Sequence, residues 1–132
     1  MKSLIVEDDL VARFMLKEFL EPYGPCDTVA DGDEAITAVK MTLDRKMPYD
    51  LICLDIMMPN VDGQTALRRI RAIEAEGGIT EAGRAKIIII TALDDPRIAF
   101  DAYYRGGATS YIVKPLDRKR IIEEIRILGL IG

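Results

Sequence analysis

Tyr49-Asp50-Leu51-Ile52-Cys53-Leu54-Asp55-Ile56-Met57-Met58-Pro59-Asn60-Val61-Asp62-Gly63 runs from an apolar stretch through a carboxylate into a loop. Leu51 to Leu54 is too brief for a helix and lies between Pro48 and Pro59, which predicts a strand buried on both faces, as in a parallel sheet. Asp55 closes that run before the Pro/Asn/Asp/Gly loop. Open α/β sheets place their ligand sites at the carboxyl ends of central parallel strands. Taken alone, such an Asp more often serves the loop entry by accepting nearby backbone N–H bonds. The rest of the chain decides between these readings.

Working outward, Leu4-Ile5-Val6 is a second apolar run, and it ends in Glu7-Asp8-Asp9. Ile87 to Ile90 ends on Thr91, Tyr111-Ile112-Val113 ends on Lys114-Pro115, and Asp27 to Ala30 is a weaker strand candidate. Helical spacing fills the intervals. From Leu10 to Tyr23, Val11, Ala12, Met15, Leu16, Phe19 and Leu20 share one half of a helix, while Phe14 strays to the polar half. Asp33 reads as the N-cap of the next helix, with Ala35, Ile36, Val39 and Leu43 inward. After Gly63, Ala66, Leu67, Ile70 and Ile73 point inward and Arg68, Arg69 and Arg71 outward. The connection from Glu76 to Arg84 has room for a partial turn; Asp94-Asp95-Pro96 opens a fourth helix and Asp117 caps a fifth. Strands and helices alternate throughout, which is the pattern of an α/β doubly wound parallel sheet with five strands and five helices.

The 132 residues fit one domain. A net charge of -4 argues against attraction to nucleic acid or to an anionic membrane. The basic clusters at Arg68-Arg69-Arg71 and Arg118-Lys119-Arg120 therefore read as solvated helix faces. No apolar run approaches the ~18 residues of a membrane span, and the first residues lack the apolar core of a secretory signal. Cys26 and Cys53 read as small apolar fillers in a reducing cytoplasm. With no histidine in the chain, Ser/His and Cys/His nucleophiles are excluded. Any phosphohistidine must belong to a partner.

Parallel strands bring their carboxyl ends to one edge, so Glu7, Asp8, Asp55, Thr91 and Lys114 are expected in one cleft. Two carboxylates 4 Å apart repel by about 4 kcal/mol at an effective dielectric of ~20. One of them must be protonated, or a divalent cation must sit among them. An all-oxygen set without histidine suits Mg²⁺ or Mn²⁺ rather than zinc. A carboxylate so placed can attack phosphorus, with the metal, the Lys114 ammonium and the Thr91 hydroxyl around the equatorial oxygens.

Leu4-Ile5-Val6-Glu7-Asp8-Asp9, Leu54-Asp55-Ile56-Met57-Met58-Pro59 with Asp62-Gly63, Ile90-Thr91-Ala92 and Tyr111-Ile112-Val113-Lys114-Pro115 together resemble the receiver domain of two-component response regulators, CheY-like in size. The resemblance implies a single receiver domain over 1–132 with a flavodoxin-like sheet in the order 2-1-3-4-5. It implies that Asp55 is the phosphoacceptor, engaged by Thr91 and Lys114. Asp8, Asp55 and the Met57 carbonyl would bind Mg²⁺ directly and Glu7 mostly through water; Asp9 competes by composition, but the register after Val6 assigns the acidic pair to Glu7 and Asp8. Thr91 and Tyr111 would form the switch, and the bond to Pro115 would be cis.

The implied partners are a histidine kinase or phosphotransfer protein and a downstream output domain or protein. They meet the chain at the fourth helix, last strand and last helix, and a phosphorylation-dependent homodimer belongs to the same expectation. Direct nucleic-acid and membrane partners do not. Met57 and Leu93 stand where the family modulates dephosphorylation; both are apolar, which predicts a longer-lived phosphoryl state. The end of the chain fits either a stand-alone regulator or a segment of a longer regulator or hybrid kinase. An aspartyl-phosphate phosphohydrolase is the alternative, though Met57 occupies the place of its second acid. A flavodoxin-like cofactor module needs a phosphate loop where this chain has three acids.

Overall fold

Strands β1 (Ser3–Val6), β2 (Cys26–Val29), β3 (Leu51–Leu54), β4 (Lys86–Thr91) and β5 (Ser110–Val113) all pair in parallel, in the order β2-β1-β3-β4-β5. The computed structural model describes residues 1–58 and 62–132; Pro59, Asn60 and Val61, which the sequence reading places in the loop after Asp55, lie outside them. Helices α1 (Leu10–Leu20), α2 (Gly32–Asp44), α3 (Gly63–Glu76), α4 (Pro96–Tyr104) and α5 (Arg118–Ile127) alternate with the strands. The doubly wound, flavodoxin-like topology read from the sequence is the one observed.

Alternate strand residues feed two separate cores, as a two-residue side-chain period requires. Leu4, Val6, Ile52, Leu54, Ile87 and Ile89 pack with Ala35 and Val39 of α2 and with Ala66, Leu67 and Ile70 of α3. On the opposite face Ile5, Leu51, Cys53, Ile88 and Ile90 pack with Leu16 and Leu20 of α1 and with Ile121 and Ile125 of α5. Cys53 is a filler of that second core, and both cysteines are free thiols.

Each α-helix starts on an aspartate whose carboxylate accepts an N–H of the first turn: Asp9, Asp31, Asp62, Asp95 and Asp117. One of these caps corrects the sequence reading, and another agrees with it. Asp31, not Asp33, caps α2, accepting from Glu34 N at 2.9 Å, while Glu34 Oε2 reaches back to the Ala30 N–H at 2.7 Å. Asp9 is committed to α1, accepting from Ala12 N at 3.1 Å, which leaves Glu7 and Asp8 as the acids at the end of β1. Gly63, the first residue of α3, packs directly on the end of β3. A Cβ there would lie 2.3 Å from the Ile56 Cα and 2.4 Å from the Asp55 carbonyl oxygen.

Side-chain placement departs from periodicity at two further positions. Val11 is exposed beside Leu10 and Phe14, because α1 meets the sheet along Ala12, Leu16 and Leu20, with Phe19 at the margin. Arg71 turns inward, unlike exposed Arg68 and Arg69. Its guanidinium bonds Glu74 Oε1 and the Ala85 carbonyl, each at 2.7 Å, and the Gly107 carbonyl at 3.0 Å. The connection that precedes β4 carries one 3-10 turn, Glu81–Gly83.

Candidate functional site at the carboxyl edge of the sheet

The site begins where the strands stop. Val6 registers with Leu54, so Glu7 and Asp55 emerge side by side, while Thr91 registers with Val113 and Lys114 follows just beyond, across β4. Three backbone bonds extend the ladders one step further: Glu7 N to Val29 O at 3.1 Å, Asp55 N to Val6 O at 3.1 Å and Lys114 N to Thr91 O at 2.7 Å. The side chains are therefore aimed by the sheet itself.

Lys114 Nζ donates to Glu7 Oε1 at 2.6 Å and to Asp55 Oδ2 at 3.0 Å, joining residues 107 and 59 positions apart in the chain. Glu7 and Asp55 are 1% and 5% exposed, so one ammonium faces two buried carboxylates. Asp8 is exposed at the mouth. One oxygen from each of Glu7, Asp8 and Asp55 lies within 4.8 Å of the others, a cluster able to hold a divalent metal. The other Asp55 oxygen, Oδ1, accepts from Met57 N at 2.9 Å, and the Met57 side chain is half exposed.

Thr91 is fully buried at the end of β4, and its hydroxyl accepts from Leu93 N at 3.4 Å. The Tyr111 hydroxyl donates to Leu93 O at 2.7 Å. Both side chains thus meet the turn between β4 and α4 at the same residue. The Lys114–Pro115 peptide bond is cis.

Glu7 Oε1 lies 2.6 Å from Lys114 Nζ, a contact that residue spacing alone does not reveal. Sequence reading also missed Arg13, whose Nη1 donates to the Glu7 carbonyl at 3.0 Å and ties α1 to the acidic turn. Its place on the polar side of α1 carried no signal for that role.

Burial pushes the Glu7 carboxyl up to about 8, with hydrogen bonding and repulsion from Asp55 adding to the rise and Lys114 opposing it. For Lys114, burial works against the charge, but its hydrogen bonds to Glu7 and Asp55 outweigh this and raise the ammonium. A carboxyl that holds its proton in the folded state and loses it near 4.5 when unfolded makes folding less favourable as pH rises. The metal-free protein should therefore lose stability between about pH 4.5 and 8, and a saturating divalent cation should remove that slope. Urea titrations across this range, with chelator and with Mg²⁺, give the test. A flat metal-free profile would contradict the proton assigned to Glu7.

Fold and site together define a class: a doubly wound α/β domain whose strand ends gather carboxylates, a lysine and a hydroxyl. The model of the response regulator receiver domain family matches residues 3–126. The chain is 35% identical over 126 residues to the chemotaxis protein CheY of Treponema pallidum, covering 94% of this chain and 79% of that protein. It is 34% identical to CheY of Bacillus subtilis, covering 94% and 93% of the two. Among solved structures, the CheX-CheY-BeF3-Mg complex from Borrelia burgdorferi superposes with a TM-score of 0.83 at 30% identity, covering 98% of this chain and 89% of that one.

The chain belongs to the response regulator receiver domain family, the CheY-like domains of two-component signalling. Domains of this family are signalling switches rather than classical enzymes, and they typically partner histidine kinases. Among the described residues, no helix is long and apolar enough to cross a membrane.

Proposed function

We propose that Asp55 accepts a phosphoryl group from the phosphohistidine of a partner histidine kinase or phosphotransfer protein in a Mg²⁺-dependent reaction. The observation that carries this reading is the Lys114 ammonium held between Glu7 and Asp55, with Asp8 at the mouth. Asp55 Oδ2 attacks phosphorus as the bond to the donor imidazole breaks. Lys114 follows the charge onto the transferred group, since its 3.0 Å contact to Asp55 already places it at the acceptor oxygen. The Met57 N–H holds Oδ1 and fixes the rotamer of the nucleophile.

The donor set fits Mg²⁺, with Mn²⁺ a substitute, because it is all oxygen and leaves two buried carboxylates sharing one ammonium. Asp8, Asp55 and the Met57 carbonyl would hold the ion, with Glu7 through water. When bound, the ion supplies positive charge at the transferred oxygens and relieves the repulsion between the carboxylates.

The new charge on Asp55 draws the Thr91 hydroxyl away from Leu93 N. Because Tyr111 bonds the carbonyl of the same Leu93, the turn between β4 and α4 responds as a unit. That response alters the face formed by α4, β5 and α5, where Tyr103 and Tyr104 are exposed and an output domain or protein would dock.

The direct test is incubation with Mg²⁺ and a small phosphodonor, followed by intact mass. One added phosphoryl group per chain, lost with chelator, is expected, and an unchanged mass would remove the reading. The side chains of Met57 and Leu93 offer a hydrolytic water no strong hydrogen bond, so the label should decay slowly. Rapid loss from the isolated, relabelled protein would overturn that part.

A further inference from the structure

The outer edge of β2 combines three observations that point to one kind of partner. Among the described residues, β1 is the sole neighbour of β2 in the sheet. Pro25 O and Val29 O face β1, accepting from Ser3 N and Glu7 N. In a parallel ladder alternate residues direct both backbone groups to the same side, so Cys26 and Thr28 direct theirs outward. Ala30, next in that row, has its N–H closed off by Glu34 Oε2 at 2.7 Å. Thr28 is exposed at the centre of this short open edge.

A groove flanks the edge on each face of the sheet, and Thr28 lines both. On the α1 side a groove of about 160 Å³ is lined by exposed Leu10 and Phe14 with Arg13 and Lys17, and by no carboxylate. On the α2 side a groove of about 480 Å³ has Val29, Ala38 and exposed Met41 with Asp33 and Glu34, and no cation. Lys17 makes only an exposed 3.8 Å contact to Glu21 and is available. The two grooves thus have apolar floors and opposite charge.

Successive side chains of a strand point to opposite faces, so an added strand would send alternate residues into the two grooves. We propose that the β2 edge is a strand-addition site for an extended segment of a partner protein, four to six residues long. Its residues alternate between apolar or acidic side chains, which enter the α1 groove, and basic side chains with long aliphatic stems. The stems of the latter lie on Met41 and Ala38, and their charged heads reach Asp33 and Glu34. This site is separate from the carboxylate cleft.

The test uses two labelled synthetic hexapeptides of one composition: Lys-Leu-Lys-Glu-Lys-Leu, which alternates, and Lys-Lys-Lys-Leu-Glu-Leu, which does not. Saturable binding of the first, at least tenfold tighter than the second, is expected, with new hydrogen-exchange protection at the Thr28 amide. Thr28→Pro removes an N–H that faces away from β1, a placement proline tolerates at a sheet edge. It should weaken binding at least tenfold while labelling by a small phosphodonor stays unchanged. Asp33→Lys, on the exposed first turn of α2, should weaken binding similarly and serves if the proline variant does not fold. No binding of the alternating peptide, equal binding of both peptides, or no protection at Thr28 would overturn the proposal.

Discussion

Asp55→Asn is expected to abolish phosphoryl labelling, leaving the intact mass unchanged under conditions that fully label the native chain. The amide has nearly the shape of the carboxylate, and its oxygen can still accept from Met57 N, the bond that Asp55 makes at 2.9 Å. It has no anionic oxygen to attack phosphorus. The variant should also remain folded. Asp55 contributes to the upward push on Glu7, so its removal lets Glu7 ionise more readily and pair with Lys114, 2.6 Å away. Loss of label with an intact urea transition therefore isolates the chemistry from folding. Labelling equal to that of the native chain would end the assignment of Asp55 as acceptor.

The largest stability effect is expected at Arg71. Arg71→Met should lower the unfolding free energy by about 3–5 kcal/mol, the usual cost of removing one partner of a buried ion pair. The Arg71 and Glu74 side chains are only 10% and 6% exposed and meet at 2.7 Å. Glu74 Oε2 also takes the Ala85 N–H at 2.8 Å, so the carboxylate is fixed in place and cannot swing into water. Without the guanidinium, the Ala85 and Gly107 carbonyls lose a donor as well. Pairing Arg71→Met with Glu74→Leu should recover much of the loss, because two apolar groups leave no buried charge behind. Equilibrium denaturation of the two single variants and the double variant checks this; additive losses would mean the pair is not the cause.

Both variants bear on how the parts of this molecule depend on one another. The cleft is anchored by backbone bonds that continue the sheet past Val6, Leu54 and Val113. Arg71 lies one turn beyond Leu67 on α3 and reaches the same buried side as Glu74. It clamps the segment before β4 and the turn before β5, tying the starts of these two paired strands to α3.

The sequence by itself determined the order of elements, because short apolar runs and 3.6-residue periodicity report burial directly. It also determined that Glu7, Asp8, Asp55, Thr91 and Lys114 share one edge, since parallel strands admit no other arrangement of their carboxyl ends. Only the tertiary structure decided which acids cap the helices. Asp9 and Asp31 became helix caps because the helices start one residue after each, a boundary that a run of similar carboxylates leaves ambiguous. It also decided that Arg71 is buried while Arg68 and Arg69 are not, for a side chain that long takes its direction from the partners it finds. The 2.6 Å contact of Glu7 with Lys114 belongs to the same class: it joins the first strand to the last, and no local pattern encodes a distance across the sheet.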